Sequence, residues 1–336
     1  MVTGRGQFLL RRVAWAVVTI AVVITFNFFL FRILPGDPAK AGVKDPRLTE
    51  EAQAALTERF GLDKPVFLNL GSGELFDSQY FIYLGQLAQG DLGISYQYRD
   101  QPVADLLTAA LANTLWLVLP AQVIGVALGV ALGLVAAWRR KTGIDYGALA
   151  AALVLWSLPT FFLGLILLLF GAGALGLPTG GRATIGAEYA SPLEAIADLV
   201  THLILPTLTL SLVIFGEYLV IMRSSVLDVF SEDYILTAKA KGLRTSRIIR
   251  DHALRNALLP MVTLIALDFG FVVAGAIQTE VVFSWPGLGL LTVNAVGQKD
   301  YPVLQGAFLL IAVAVVVANL LADMAYGFLD PRVSEA

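Results

Sequence analysis

Six runs of mainly apolar residues follow one another along the chain, separated by segments that carry most of the charges. The runs are residues 13–31 and about 112–137, 146–173, 199–221, 257–279 and 303–326. Each is close to or above the length of about 20 residues that an α-helix needs to cross the hydrocarbon core of a bilayer. The pattern predicts an all-α integral membrane protein with six transmembrane helices.

Composition agrees with this pattern and excludes several other classes of protein. Of 336 residues, 57% are hydrophobic and 15% are charged, whereas soluble domains carry about 25% charged residues. A pair of soluble domains is therefore excluded. The absence of cysteine excludes a disulfide scaffold, a thiolate metal site and a cysteine nucleophile. The presence of only two histidines argues against a histidine-rich metal site.

The basic residues predict the orientation of the chain in the cytoplasmic membrane. With the N-terminus inside, the cytoplasmic segments 1–12, 138–145, 222–256 and 327–336 hold 14 basic and 7 acidic residues. The external segments 35–110, 174–198 and 280–302 then hold 8 basic and 16 acidic residues. Because lysine and arginine are enriched in cytoplasmic loops, we expect both termini to be cytoplasmic.

This topology divides the chain into four parts. Residues 1–34 form the cytoplasmic N-terminus and the first span, 35–110 an external loop domain, 111–326 a core of five spans, and 327–336 a cytoplasmic C-terminus. In the external loop, Thr49 and the two glutamates after it indicate a helix start, and Gly61 a helix stop. This helix is either a small cap packed on the bundle or a docking surface.

The largest cytoplasmic loop, residues 222–256, is predicted to form two short helices joined at a glycine. The segment from Tyr234 to Lys241 is helical in propensity and ends at Gly242, and a second helical stretch runs from Thr245 to about Asn256. One interpretation is a basic amphipathic hairpin lying on lipid headgroups. The other is a protrusion that fits a groove of a partner protein.

No motif for chemistry on nucleotides or acyl groups is found. The sequence has no Gly-Lys dipeptide and hence no P-loop, and it has neither G-x-S-x-G nor H-E-x-x-H. We therefore predict that the chain is not an enzyme. If ATP drives its activity, another polypeptide supplies the ATPase.

Several short motifs, in order and at matching distances, resemble one family over essentially the whole chain. They are LFRILPGDPA at 30–39, FGLDKP at 60–65, GDLGIS at 90–95, TAKAKGL at 237–243, HALRNA at 252–257, WPGLG at 285–289 and DPR at 330–332. The chain resembles the permease subunit of an ATP-binding-cassette (ABC) importer of the oligopeptide, dipeptide and nickel branch. It departs from the superfamily's general coupling motif at 236–238, where Leu-Thr-Ala replaces Glu-Ala-Ala.

The resemblance implies a type I ABC importer permease fold that moves short peptides across the inner membrane by alternating access. It implies a second, homologous permease, one or two ABC ATPase subunits and an extracytoplasmic substrate-binding protein as partners, and no nucleic acid. It implies no cofactor or metal in this chain, because ATP and magnesium belong to the partner subunits. Whether the solute is a dipeptide, a longer peptide or a nickel complex stays open at this point.

The resemblance also suggests roles for particular residues. Contact with the ATPase would fall to a coupling segment that comprises Ala238, Lys239, Ala240, Lys241, Gly242, Leu243 and Arg255. In that assignment Gly242 is the pivot, and Ala238, Ala240 and Leu243 face the ATPase. The translocation pathway or its outer gate would include Asp268, Glu280, Trp285, Pro286 and Gly287.

Two of these assignments have structural alternatives. Asp268 would cost about 2.5–3.5 kcal/mol in a membrane span, so it either lines the pathway or pairs with a hydroxyl or histidine of a neighbouring helix. Gly242 alone would suit a simple helix stop.

Gly125, Gly129 and Gly133 repeat at a spacing of four, which predicts close helix packing.

Two other classes of protein compete with the importer. An ion- or proton-coupled transporter would work without partners, but no internal repeat of the kind such folds often show is evident. A membrane scaffold or receptor would show no substrate-dependent ATPase. Neither class predicts the 222–256 loop.

Overall fold

The computed structural model describes residues 4–33, 49, 51, 54, 57–58, 62–69, 74–98, 101–262, 264–265, 268 and 276–329. Among these residues the regular structure is helical, apart from one isolated antiparallel bridge between Ile94 and Pro102. The chain is divided into two compact units. The first holds Asn113–Leu290 with Met1–Phe8 and Val317–Ala336, and the second holds Leu9–Ala112 with Leu291–Val316.

The helices of the described residues are given in chain order. They are α1 (Gly4–Ile33), α2 (Gln79–Ala88), α3 (Val103–Trp138), α4 (Gly143–Ser157), α5 (Thr160–Ile166), α6 (Pro192–Val229), α7 (Asp233–Ala240), α8 (Thr245–Ile248), α9 (Leu254–Ala257), α10 (Ile277–Val282), α11 (Leu288–Gln298) and α12 (Tyr301–Leu329). A π-helical segment, Leu167–Ala172, and a short turn of helix, Gly173–Leu175, continue α5. A second π-helical segment, Ile249–Ala253, joins α8 to α9.

Four helices of the described residues are long and apolar enough to cross a membrane. They are Leu10–Arg32, Val103–Trp138, Pro192–Val229 and Tyr301–Leu321. These helices confirm the predicted first, second, fourth and sixth spans. At 1.5 Å per residue, the 36 residues of α3 measure about 54 Å, well beyond the hydrocarbon core. Accordingly α3 begins at Val103, before the predicted start near 112.

The predicted third span is bent sharply in the middle. Helices Gly143–Ser157 and Thr160–Leu175 are related by a bend of 107° and count as a fifth span only if taken together. Leu158 and Pro159 at the break have extended ψ angles of 134° and 131°. The ring of Pro159 disfavours the helical conformation in the residue before it, which accounts for the break.

Two predicted elements lie partly or mainly outside the described residues. In the predicted fifth span, 257–279, residues 259–262 and 264–265 are helical, but 263, 266–267 and 269–275 are not described. In the predicted external helix after Thr49, only 51, 54 and 57–58 are described, and these are helical. Both elements stay predictions.

In the first unit, the glycine row of α3 lies directly against α6. A Cβ atom on Gly125, Gly129 or Gly133 would come within 2.6–2.7 Å of Ile214, Tyr218 and Leu219 respectively. On another part of α6, a Cβ on Gly216 would come within 2.5 Å of the Ala152 carbonyl oxygen of α4. These contacts confirm the close packing predicted from the glycine spacing.

In the second unit, α1 packs through its aromatic end against α2. The ring of Phe28 lies 5.2 Å from that of Tyr80 and 5.4 Å from that of Tyr83, and Thr25 shares a 2.7 Å hydrogen bond with the Tyr80 hydroxyl. Asn27 donates a 2.9 Å hydrogen bond to the Gln305 carbonyl of α12. This unit therefore joins the first long helix to part of the last.

The second unit also holds a fully buried carboxylate, Asp300, immediately before α12. It accepts hydrogen bonds from the Ser95 hydroxyl at 2.5 Å and from the backbone N–H groups of Tyr96 and Gln97 at 3.2 Å each. A carboxylate at this position also suits the positive end of the helix dipole. Asp300 thus fixes the 95–97 segment at the start of α12.

Candidate functional site

Residues 233–257 form a hairpin of two helical arms, hereafter the 233–257 hairpin. α7 ends at Ala240, and the chain reverses through Gly242, whose φ of +75° is a left-handed conformation. The N–H of Gly242 donates to the Lys239 carbonyl at 2.9 Å, and that of Leu243 to the Ala238 carbonyl at 3.3 Å. Glycine adopts this conformation without a Cβ penalty, so the predicted helix stop is confirmed.

The hairpin has a small apolar core of its own, which places Ala238 on the inside. Ile235, Ala238, Ile248 and Ala253 are buried together, and Leu243 packs against them. The prediction that Ala238 faces outward is therefore wrong. The spacing of three between Ile235 and Ala238 places both on one face of α7, and that face meets the second arm. Leu243 is likewise turned partly inward.

The outer surface of the hairpin is basic with some apolar area. Lys239, Ala240, Lys241, Gly242 and Arg255 are exposed, as are Tyr234 at 39% and Leu236 at 56%. Asn256 donates to the Tyr234 hydroxyl at 2.7 Å, which ties the two arms together at the surface. Tyr234 and Leu236 were not predicted from the sequence to belong to this surface.

On the second arm of the hairpin, the acidic side chain of Asp251 lies among the basic ones. Arg250 donates a 2.8 Å hydrogen bond to Asp251, and Arg247 lies 3.4 Å from the same carboxylate. The Arg250 hydrogen bond, reinforced by both guanidinium charges, lowers the pKa of Asp251 below its usual value. The carboxylate therefore stays ionised, and it offsets part of the positive charge of the second arm.

A buried ion pair lies at the end of α6 that leads into the hairpin. Arg223 binds Asp145 of α4 with two hydrogen bonds of 2.6 and 2.9 Å, and Asp145 is only 1% exposed. The Lys141 N–H donates to the same carboxylate at 2.9 Å. Asp145 therefore gives Arg223 a bidentate partner on a neighbouring helix, a geometry that makes such charge-assisted pairs strong.

Glu280 forms the centre of a second arrangement, hereafter the Glu280 clasp. Its side chain is 0% exposed and accepts hydrogen bonds from the Thr114 hydroxyl at 2.6 Å and from the Leu290 N–H at 3.0 Å. The Thr114 hydroxyl in turn accepts the Leu288 N–H at 2.8 Å. Glu280 therefore holds the first turn of α11 against α3.

The segment between α10 and α11 closes over this carboxylate. Trp285 is fully buried and donates from Nε1 to the Asn113 carbonyl at 2.9 Å, while Asn113 donates to the exposed Pro286 carbonyl at 2.9 Å. A Cβ atom on Gly287 would overlap the carboxyl group of Glu280. Residues 283–287 are not helical, and α11 begins at Leu288.

Asp268 lies in a separate group of polar side chains, hereafter the Asp268 cluster. The Tyr218 hydroxyl donates to Asp268 at 2.7 Å, and Gln122 donates from Nε2 to the Tyr218 oxygen at 3.3 Å. Gln122 and Tyr218 are buried, whereas Asp268 and Glu217, which precedes Tyr218 on α6, are partly exposed. The predicted pairing of Asp268 with a hydroxyl of another helix is thus confirmed.

Comparison with protein families identifies the chain. Residues 129–335 match the family model described as "Binding-protein-dependent transport system inner membrane component". Residues 6–118 match the corresponding N-terminal model of such membrane components. The chain belongs to this family.

Curated relatives match the permease over almost its full length. The oligopeptide transport system permease protein AppB of Bacillus subtilis is 35% identical over 98% of this chain and 99% of its own. The dipeptide transport system permease protein DppB of Escherichia coli is 36% identical over 97% and 98%. The di/tripeptide transport system permease protein DppB of Pseudomonas aeruginosa is also 36% identical over 97% and 98%.

A solved structure shares the fold of the permease. An inward-facing form of the MetNI methionine ABC transporter aligns with a TM-score of 0.53 at 17% identity, covering 67% of this chain and 96% of that chain. With the apolar helices described above, the family match makes this chain a multi-pass inner-membrane protein and a transport permease.

The residues singled out from the permease sequence fall into three separate places. The coupling candidates Lys239, Ala240, Lys241, Gly242 and Arg255 share the exposed surface of the 233–257 hairpin, with Ala238 and Leu243 behind them. Glu280, Trp285, Pro286 and Gly287 come together in the clasp. Asp268 is not part of the clasp. The positions missed were the partners Asn113, Thr114, Gln122 and Asp145, whose types are common at helix surfaces and carry no distinctive local signal.

Proposed function

We propose that this permease is the membrane subunit of an ATP-driven ABC importer that moves short peptides into the cell. The observation that carries the proposal is the full-length similarity to permeases named for oligopeptide, dipeptide and di/tripeptide transport. An end-to-end match at this identity supports a shared solute class more strongly than a match of one domain.

The proposed topology has six spans with both termini in the cytoplasm. The fifth span at 257–279 completes the set, and the loop domain at 35–110 lies outside between the first and second spans. The excess of basic residues on one side and of acidic residues on the other supports this orientation.

In this proposal the 233–257 hairpin is the coupling element that rests on an ATPase subunit. Its exposed lysines, Lys239 and Lys241, would pair with acidic residues at the rim of the ATPase groove. The exposed Tyr234 and Leu236 would add apolar contact area. The importer would contain a second, homologous permease and one or two ATPases, which bind ATP and magnesium. This chain holds no cofactor of its own.

Transport would proceed by alternating access. A substrate-binding protein delivers the peptide at the external face, and ATP-driven closure of the ATPases draws the coupling hairpins together. The Glu280 clasp, together with Pro286 at its surface, would lie near the outer gate. Because the Glu280 carboxylate is enclosed and hydrogen-bonded, its part in the gate is to position the turn.

The first experiment identifies the partners. The tagged chain is purified from its native membrane in mild detergent, and the proteins that accompany it are identified by mass spectrometry. We expect a second permease of similar size, one or two P-loop ATPases, and ATPase activity that rises when binding protein and peptide are added. Recovery of the folded chain alone would contradict the importer.

The coupling role predicts a specific defect at Gly242. A Cβ there would meet nothing within 4 Å, so the cost of a substitution comes from the φ of +75°, about 1–2 kcal/mol for an ordinary L-residue. Gly242→Val should therefore abolish peptide uptake while the chain stays in the membrane. Gly242→Asn is the matched control, because asparagine tolerates the left-handed conformation, and it should retain uptake. Normal peptide uptake by Gly242→Val would contradict the assignment of this hairpin as the coupling element.

A further inference from the structure

The segment between α1 and α2 carries an exposed apolar patch, hereafter the apolar ledge. Five large apolar side chains form it, each between 37% and 67% exposed: Val66, Phe67, Leu68, Leu75 and Phe76. The Asn69 N–H donates to the Leu75 carbonyl at 3.1 Å, so the two parts of the ledge, 66–68 and 75–76, are adjacent in space. An exposed apolar cluster of this kind is typical of a surface that contacts a partner or a membrane.

A contact with α1 fixes the depth of the ledge relative to the first span. The ring of Phe67 lies 5.6 Å from that of Phe29. Phe29 precedes Arg32, where the apolar span ends, by about 4.5 Å along the helix axis. The interfacial region of a bilayer is about 5–8 Å thick on each side of the hydrocarbon core. Phe67 therefore lies at the level where acyl chains and headgroups meet.

The first turn of α2 extends further toward the centre of the bilayer. The Tyr80 hydroxyl shares a 2.7 Å hydrogen bond with Thr25, which precedes Phe29 by one helical turn, or about 6 Å along the axis. The Tyr80 ring also lies 5.2 Å from that of Phe28. Tyrosine is enriched at the membrane–water interface, where its ring and its hydroxyl suit apolar and polar surroundings. The start of α2 is thus held at the depth of the last two turns of the span.

A row of aromatic rings connects this level to the far part of the ledge. The ring of Tyr80 lies 5.4 Å from that of Phe67 and 5.3 Å from that of Phe81. The ring of Phe81 lies 4.8 Å from that of Phe76. Both parts of the ledge are therefore packed on the same turn of α2, so the depth of α2 determines the depth of the ledge.

The backbone of the ledge suits surroundings that contain little water. The carbonyl groups of residues 65–67 accept hydrogen bonds from the N–H groups of Gln79 and Tyr80, at 3.0 and 3.1 Å, and from the Ser78 hydroxyl at 2.6 Å. The two N–H groups belong to the first turn of α2, which has no partners for them within the helix. Because unsatisfied backbone groups are costly in lipid, this pairing favours contact with acyl chains.

We propose that the apolar ledge lies at the boundary between headgroups and acyl chains and contacts lipid, as a second membrane anchor beside α1. The ledge continues the exposed apolar row of Val22, Phe26 and Leu30, which are spaced by four on α1. Lys64 and Asp77, which flank the ledge in the sequence, form an ion pair and stay partly exposed, as suits the headgroup side. The proposal depends on α1 crossing the membrane and is independent of the transported solute.

The test measures the depth of spin labels on the ledge. The native chain contains no cysteine, so Leu75→Cys and Phe76→Cys can each carry one nitroxide label. The labelled chain is assembled with its co-purified partners in lipid nanodiscs, and collision rates with oxygen and with a polar nickel chelate are measured by electron paramagnetic resonance. Oxygen is apolar and concentrates among acyl chains, whereas the polar chelate stays in water.

The ratio of oxygen to nickel collision rates distinguishes lipid from water. For labels at Leu75 and Phe76 this ratio should be clearly higher than for a label at Glu188→Cys, an exposed loop position that serves as the aqueous control. Adding Phe76→Asp should lower the ratio for the label at Leu75, because a carboxylate resists leaving water. Gln89→Asp adds the same charge at an exposed position after α2 and should leave the ratio unchanged.

Three results would overturn the proposal. A ratio at Leu75 and Phe76 equal to that at Glu188 would place the ledge in water. Collision rates with oxygen and nickel that are both lower than at Glu188 would mean that a protein, such as a second permease, covers the ledge. An effect of Phe76→Asp no larger than that of Gln89→Asp would mean that the apolar side chains do not hold the ledge in the membrane.

Discussion

Glu280 and Asp268 are both carboxylates in the apolar part of the first unit, yet their surroundings differ. Glu280 is completely enclosed and receives a hydroxyl and a backbone N–H, with two glycines against its oxygens. Asp268 is partly exposed and, among the described residues, accepts one hydrogen bond, from the Tyr218 hydroxyl. Within the part of the chain that the structure describes, hydrogen bonds hold both oxygens of Glu280 but only one oxygen of Asp268.

The largest effect is expected from removal of the Glu280 carboxylate. Glu280→Ala leaves the Thr114 hydroxyl and the Leu290 N–H without their acceptor, at a cost of roughly 1–3 kcal/mol for each. We expect the variant to be destabilised by about 3 kcal/mol or more, measured as a lower apparent melting temperature in detergent. Glu280→Gln keeps one acceptor oxygen, so its melting temperature should fall less than that of Glu280→Ala. A melting temperature equal to that of the native chain would show that the clasp is not structural.

A smaller effect is expected from crowding the same carboxylate. Gly287→Ala would place a Cβ atom in overlap with the Glu280 carboxyl group, and its hydrogen bonds leave that side chain little freedom to move. Overpacking of this kind costs about 1–3 kcal/mol. The control is Gly297→Ala on α11, where a Cβ would meet nothing within 4 Å, and which should be neutral or stabilising. Equal melting temperatures for the two variants would contradict the close fit.

The smallest effect on stability is expected at Asp268. In Asp268→Asn the amide oxygen still accepts the Tyr218 hydroxyl, and a charge is removed from an apolar region, so stability should change by less than about 1 kcal/mol. The same melting measurement applies. A decrease in melting temperature as large as that of Glu280→Ala would show that Asp268 and Glu280 contribute equally to stability. It would contradict the contrast between them.

Much of the architecture was predictable because apolar length and glycine spacing are local properties. Four of the predicted spans coincide with long helices, and Gly125, Gly129 and Gly133 contact α6 as their spacing indicates. Gly242 was predictable for the same reason, since a helix stop depends on the backbone of one residue.

Which side chains pair with one another was harder to predict from the sequence. Asp145 and Arg223 are 78 positions apart, and no local pattern relates them. Ala238 was assigned outward because small residues permit close approach to a partner, but they permit close approach between the two arms of the hairpin equally well. Which surface a small residue serves depends on tertiary packing.

The contacts of Gly125, Gly129, Gly133 and Gly216 have a mechanical consequence. They bring α6 into close contact with α3 and α4 at these positions, and a densely packed interface resists sliding. Helices α3, α4 and α6 would therefore move together as one rigid body. Since α6 leads into the hairpin, a displacement of the hairpin would be passed to α3 and α4 through these contacts.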